Sequence, residues 1–227
     1  MKDTVSSRLE TQCLFMQNNK NYQKILQNTL DLLEKENKKS TLLLHVCCGP
    51  CSTIPLKQLA DKFEITLLFN NSNIYPKQEH DRRYNELVNY INKHYPNIKI
   101  ISTDYDNEKY NLSLLEHADE PEGHERCRIC FRKRFEEGMQ IAKKMNIEYF
   151  GSVMTISRYK NAQDINKIGE ELALKYAPVK WLYADFKKNN GYEDSLLIIK
   201  AENMYFQEYC GCIYSYQKYL AKLDLKN

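Results

Sequence analysis

Glycine and proline are scarce here, seven and six in 227 residues, which argues against long flexible linkers. No apolar run approaches the roughly 20 residues that span a bilayer. The opening "MKDTVSSRLETQCLFMQ" lacks the hydrophobic stretch of a secretory signal. Neither charge sign dominates: 33 Lys and Arg against 30 Asp and Glu leave a net +3. That permits a nucleic-acid partner without demanding one, since strong polyelectrolyte binders are usually more basic. No glycine-rich phosphate loop follows the first apolar segment, and there is no internal repeat or low-complexity tract. These absences lead us to expect a cytoplasmic protein with no membrane partner, in a compartment where structural disulfides are rare. What the chain does have is eight cysteines, and in a reducing compartment these point to metal ligation or redox chemistry.

Apolar segments and amphipathic segments alternate along the chain. Residues 1–20 are polar and aperiodic and read as a frayed extension. Residues 21–38 read as a helix with Tyr22, Ile25, Leu26, Thr29, Leu32 and Leu33 on one face. Strands are expected at 41–47, 64–70, 98–105 and 148–155. Helices are expected at 52–62, 77–95, 125–146, 163–176 and 192–205. Strands alternating with helices imply crossover connections and a mostly parallel sheet flanked by helices. Continuous apolar strands fit a sheet covered on both faces. The expectation is an α/β protein with a Rossmann-like, nucleotide-hydrolase-like core. Its domains would be an N-terminal extension, 1–40, carrying one helix, and a single α/β catalytic domain, 41–227. Ligands of such sheets sit outside the carboxyl ends of the strands, and Cys47 and Cys48 lie at that end of the first strand.

Seven of the cysteines fall in three groups: Cys47, Cys48 and Cys51 in "CCGPC", Cys127 and Cys130 in "RCRIC", and Cys210 and Cys212 in "YCGC". Cys13 stands alone and reads as a plain small apolar residue. Cys127 and Cys130 share a face at a helix start, where thiolates are favoured. Cys47 and Cys48 sit where a strand gives way to a loop, so both sulfurs can turn to one centre. Two pairs supply four thiolates, the ligand count of a cubane iron–sulfur cluster and equally of a tetrahedral zinc site. Cys210 and Cys212 would close a small, strained and readily reduced ring across Gly211. They read as a two-electron redox couple or as further metal ligands. Cys51 reads as a ligand or as a spare thiol beside the centre. The five histidines have no metal-ligand spacing; His45 reads as a packed strand-end residue and His124 as a site flank.

"HVCCGPC", "NSNIYPKQEHDRR", "ERCRICFRKR", "ADFKKNNGY" and "YFQEYCGCIYS", in that order, resemble the cobalamin-independent epoxyqueuosine reductases of the QueH type. The resemblance covers about residues 41–216. It departs from the family at Gly49, where alanine is common, a change of backbone shape that leaves the cysteines in place. The resemblance implies reduction of epoxyqueuosine to queuosine at the wobble position of tRNA, the final step of queuosine biosynthesis. It implies a 4Fe–4S cluster on Cys47, Cys48, Cys127 and Cys130, and a redox-active pair at Cys210 and Cys212. It leaves room for an additional iron ion near the cluster. Its partners would be a tRNA with a GUN anticodon and an external electron donor.

Turning an epoxide into an alkene removes oxygen as water and needs two electrons and two protons, so a proton donor must serve the departing oxygen. Asp185 and Asp104 are candidates, set against the plainer reading of each as a helix cap or surface carboxylate. For the RNA, a basic rim is expected from Arg82, Arg83, Arg126, Arg128, Arg132, Lys133, Arg134, Lys187 and Lys188. Tyr75, Tyr192 or Tyr209 would stack on an unpaired base. Two other classes stay open on the residues alone: a zinc-dependent RNA-binding protein without catalysis, and a thiol–disulfide oxidoreductase with a CxC thiol of lowered pKa.

Overall fold

The computed structural model describes residues 20–225, so Cys13 and all but the last residue of the expected frayed segment, 1–20, lie outside the described residues. Helix α1 (Tyr22–Lys35) leads into β1 (Ser40–His45), α2 (Gly49–Leu59), β2 (Phe63–Phe69), α3 (Lys77–His94) and β3 (Lys99–Ser102). Then come α4 (Asn107–Leu112), α5 (Glu125–Lys144), β4 (Tyr149–Ser152), α6 (Ala162–Lys175), β5 (Lys180–Trp181), α7 (Gly191–Ala201) and α8 (Ile213–Asp224). The strands form one sheet in the order β3-β2-β1-β4-β5. Every pairing is parallel, with Leu43 opposite Thr66 on one side and Phe150 on the other. This is the expected α/β architecture.

Period-two alternation splits the core into two layers. Leu42, Leu44 and Val46 pack with Leu26, Ile54, Leu56 and Leu87 on one face of the sheet. Leu43 packs with Phe131, Phe135, Met139, Ile165 and Leu172 on the other. The first layer therefore holds α1, α2 and α3, and the second α5 and α6. Both faces are covered, which is why β1 reads as an unbroken apolar run. Gly138 brings α5 close to β4, because a side-chain carbon there would overlap the Phe150 ring.

Several boundaries differ from the sequence reading for identifiable reasons. In α1 it is Leu30 that turns inward, while Leu32 is 53% exposed. The apolar segment after β4 leaves the strand at Ser152 and coils into a buried 3-10 turn, Val153–Ile156; burial makes both conformations equally apolar. The 98–105 segment pairs only over Lys99–Ser102. β5 has two residues, too few for alternation to register. α7 stops at Ala201, with Asn203 in the left-handed region at φ 50°. α8 has only Ser215 buried, so it carries no inward apolar stripe to betray it.

The order 3-2-1-4-5 reverses direction between β1 and β4. Beyond their carboxyl ends the two outgoing loops part and leave a crevice, the usual ligand position in open parallel sheets. The loops there are Val46–Cys48 and the turn through Val153–Lys160. The amino terminus of α5 and the 205–212 segment complete the surroundings.

Candidate metal and redox centre

Cys47 follows β1, and Cys48 is the N-cap of α2, its sulfur accepting the Cys51 N–H at 3.3 Å. The Cys47 and Cys48 sulfurs are 3.9 Å apart, and Cys48 pairs with Cys51 at 2.50 Å. All three sulfurs lie within 4.8 Å of one another, a grouping able to hold a metal ion. Cys51 is bonded to Cys48 as a disulfide and shares the grouping with Cys47. Gln207 Nε2 donates to the Cys48 and Cys51 sulfurs at 3.3 and 3.5 Å.

Cys127 and Cys130 stand in the first turns of α5. The Gly123 N–H donates to the Cys127 sulfur at 3.2 Å, and the Tyr110 hydroxyl reaches the Cys130 sulfur at 3.3 Å. Cys210 and Cys212 flank Gly211, whose φ of +121° needs glycine. Cys47, Cys127, Cys130, Cys210 and Cys212 all carry free thiols.

The three groups lie within range of one another's charge, and among the described residues the sulfurs grouped within 4.8 Å are those of Cys47, Cys48 and Cys51. Burial pushes the Cys127 thiol up, and the charges of Cys210 and Cys130 add to it. Burial and the neighbouring Cys210 raise Cys212 to about 11. That is opposite to the lowered pKa an exchange-active CxC thiol would show. Arg134 is 4% exposed. Burial by itself would lower its pKa, but Cys130, Tyr110, Cys47 and Cys210 outweigh it and hold the guanidinium firmly charged. Lys160 behaves alike: burial opposes its charge, and Cys210 and Cys47 restore it. Among the described residues no carboxylate forms an ion pair with either cation. An unpaired buried charge is expensive, and the groups placed to compensate it here are cysteine sulfurs. His45, behind the cysteines, is held neutral by burial and by Arg134, with Nδ1 on the Ser152 hydroxyl at 2.8 Å. It is the packed strand-end residue that was expected.

Cys47, Cys51 and Cys210 open onto a cavity of about 300 Å³, within the size range of small-molecule sites. Lys160, Tyr192, Gln207 and Tyr209 share its wall. Asp185 is not among these groups. It lines an adjoining cleft and pairs with Lys187 at 2.5 Å. Asp104 is exposed and its backbone carbonyl takes the Ser72 hydroxyl.

The expected basic rim is in large part not a rim. Arg83, Arg126 and Arg134 are buried. Arg83 pairs with Glu79 at 2.7 Å and donates to the Cys210 and Tyr209 carbonyls at 3.0 Å each. Arg126 donates to the carbonyls of His117, Ala118 and Glu120. Arg128 and Arg132 are tied to Glu125 and Glu171. Tyr75 packs edge-on against Tyr216, whereas Tyr192 and Tyr209 do face the cavity. Missed from the sequence were Lys160 and Tyr110, which fall in no quoted motif, and Gln207, which lies within "YFQEYCGCIYS" but was not singled out there.

With this geometry in view, similarity to known proteins is decisive. The family described as "Epoxyqueuosine reductase QueH" matches residues 42–218. The chain belongs to the epoxyqueuosine reductase QueH family. A QueH-named relative from Streptococcus pyogenes serotype M1 is 39% identical over 199 residues, 86% of this chain and 78% of its own length. Another, from Staphylococcus epidermidis, is 39% identical over 210 residues, 89% and 88% of the two chains. One from Thermotoga maritima is 30% identical over 178 residues, 77% of this chain and 90% of its own. As a QueH-family member the chain is an oxidoreductase, and the span matched by the family runs from β1 through α8 and includes all seven clustered cysteines. No described helix is long and apolar enough to cross a membrane.

Proposed function

We propose that this chain reduces the epoxide of epoxyqueuosine in tRNA to the alkene of queuosine, using a 4Fe–4S cluster and the Cys210–Cys212 pair. The observation that supports it best is the buried Arg134, which has thiols and no carboxylate for counter-charge. The donor set supports this reading: the Cys47, Cys48 and Cys51 sulfurs are grouped, and the Cys127, Cys130 and Cys48 sulfurs are met by N–H or O–H donors from Gly123, Tyr110 and Gln207. Hydrogen bonds of this kind tune the potential of iron–sulfur centres. Cys47, Cys48, Cys127 and Cys130 would hold the cluster, with Cys51 beside them. When bound, the cluster supplies electrons singly and an iron that can act as a Lewis acid toward oxygen.

The overall change is epoxide plus two electrons plus two protons giving alkene plus water. Arg134 and Lys160 balance negative charge at the thiolates. Lys160 Nζ, at the cavity wall, holds a proton where the departing oxygen needs one, while Asp185 is committed to Lys187. The Cys210–Cys212 dithiol holds two electrons and two protons, releases them as it closes to a disulfide, and is reduced again by an external donor. We assign the chemistry to residues 41–227, which carry every clustered cysteine, and the work to the cytoplasm, where tRNA is found.

The test is anaerobic reconstitution followed by iron, sulfide and zinc analysis and an absorption spectrum. About four iron and four sulfide per chain, with loss of one oxygen from the modified base by mass spectrometry, are expected. A colourless protein retaining only zinc refutes the cluster and moves the reading to RNA binding.

A further inference from the structure

Beside the cysteine cavity lies a second, larger hollow of about 600 Å³. Its wall carries Lys20, Arg158, Lys160, Lys187 and Lys188, with Asp185 as the carboxylate among its lining residues. Lys20 is paired with Glu170, and Lys187 with Asp185. Arg158, Lys160 and Lys188 have no ion pair among the described residues. The start of α6, Asn161 to Gln163, also lines the cleft and adds the partial positive charge of a helix amino terminus. A concave wall of uncompensated positive charge attracts polyanions.

Two residues belong to both hollows: Tyr159 and Lys160. Tyr159 is 73% exposed, unusual for a large ring that has no core to serve. Arg158 lies over it at 5.1–5.2 Å from two rings, Tyr159 and Tyr192, holding both beside the junction. Aromatic faces next to a basic groove are the general recipe for single-stranded nucleic acid. The arrangement assigns the phosphates to one hollow and the reacting base to the other.

We propose that the Arg158–Lys188 cleft carries the RNA backbone flanking the reacting nucleotide, and that Tyr159 stacks on a base at the junction with the cysteine cavity. The proposal rests on the tRNA reading above and adds where the strand runs. It also accounts for a modest overall charge: the positive residues that matter are concentrated in one cleft.

The experiment uses the full chain and a synthetic anticodon stem-loop RNA with unmodified guanosine at the wobble position. Affinity is measured against salt for the wild type, Arg158→Ala/Lys188→Ala, Tyr159→Ala and Tyr159→Phe. The double variant is expected to bind about tenfold or more weakly and to lose about 1.4 from its log–log salt slope, two contacts at roughly 0.7 each. Tyr159→Ala is expected to bind about tenfold more weakly with the slope kept, and Tyr159→Phe to restore it. All these side chains are exposed, so melting temperature and reconstituted iron should match the wild type. Wild-type affinity and slope in the variants overturn the cleft while leaving the tRNA reading intact. A wild-type chain that reconstitutes its metal yet binds no RNA overturns both.

Discussion

Arg83 holds Cys210 in place. Its guanidinium donates to the Cys210 carbonyl at 3.0 Å and to the Tyr209 carbonyl at 3.0 Å, while Glu79 balances its charge at 2.7 Å. The pair is one helical turn apart in α3, and 98% of the Arg83 side chain is out of solvent. A side-chain carbon on Gly211 would sit 2.9 Å from the same guanidinium. The Cys210–Cys212 segment is thus fastened by a residue more than 120 positions away in sequence, through backbone rather than through sulfur.

Replacing Arg83 with Leu strands Glu79, and breaking one side of a buried pair typically costs about 3–5 kcal/mol. Arg83→Leu should lower the melting temperature strongly, and Glu79→Gln/Arg83→Leu should recover part of the loss. Both should still lose most turnover, because neither fastens the Tyr209 and Cys210 carbonyls. Turnover recovering together with stability in the double variant would refute the fastening role. Gly211→Ala should lose activity as well, from its positive φ and its contact with Arg83.

Arg134 makes a prediction with opposite signs in two states. In metal-free protein it is a buried cation lacking a carboxylate, so Arg134→Met should leave stability unchanged or raised. In the metal-loaded protein it is the counter-charge to the thiolates, so the same variant should hold iron less well and release it faster to a chelator. Arg134→Lys, keeping the charge, should fall between. Equal iron retention in the wild type and Arg134→Met, measured by chelator competition, would remove the electrostatic argument for an anionic centre.

Cys212 provides a third test, with the metal removed. A thiol raised from the ordinary 9.0 to about 11 carries about a hundredfold less thiolate at pH 8, and the thiolate is what alkylates. Iodoacetamide should therefore modify Cys212 slowly at pH 8 and faster up to pH 11, followed by peptide mass mapping. Rapid modification at pH 7 would favour the thiol–disulfide oxidoreductase class instead.

What the sequence discloses depends on whether a property is local. The longer strands show as short apolar runs, because both faces of the sheet are covered, and most helices show as apolar stripes that repeat every 3.6 residues. β5 and α8 do not: one is two residues long and the other buries almost nothing. The cysteines announce themselves by clustering, and their position at the end of β1 follows from the parallel topology. The fate of the arginines is not local. Arg82 and Arg83 are adjacent in "HDRR", yet one lies over the Tyr205 ring at 3.4 Å and the other is sealed beneath the Cys210 loop. Only the fold separates them, and a count of basic residues near a motif therefore overstates the surface available to RNA. Lys160 is the converse case, a lysine in an ordinary polar turn that the crevice between β1 and β4 places beside two cysteines.

His45 makes the last prediction, on stability against pH. Burial, then the charge of Arg134, lowers its pKa well below the ordinary 6.5. In the unfolded chain the same imidazole takes a proton near its ordinary value. Below that pH the unfolded state binds more protons than the folded one, so folding stability falls as pH falls. The slope from this one group approaches about 1.4 kcal/mol per pH unit between the two pKa values. Above pH 7 both states are neutral and the contribution is flat. His45→Asn can keep a partner for the Ser152 hydroxyl and has no proton to gain. Metal-free wild type and His45→Asn should therefore differ most near pH 7.5, with the gap closing or reversing toward pH 5. Denaturant titrations across that range check it, and parallel curves for the two proteins would mean that His45 takes its proton at the same pH folded as unfolded, which overturns the shift.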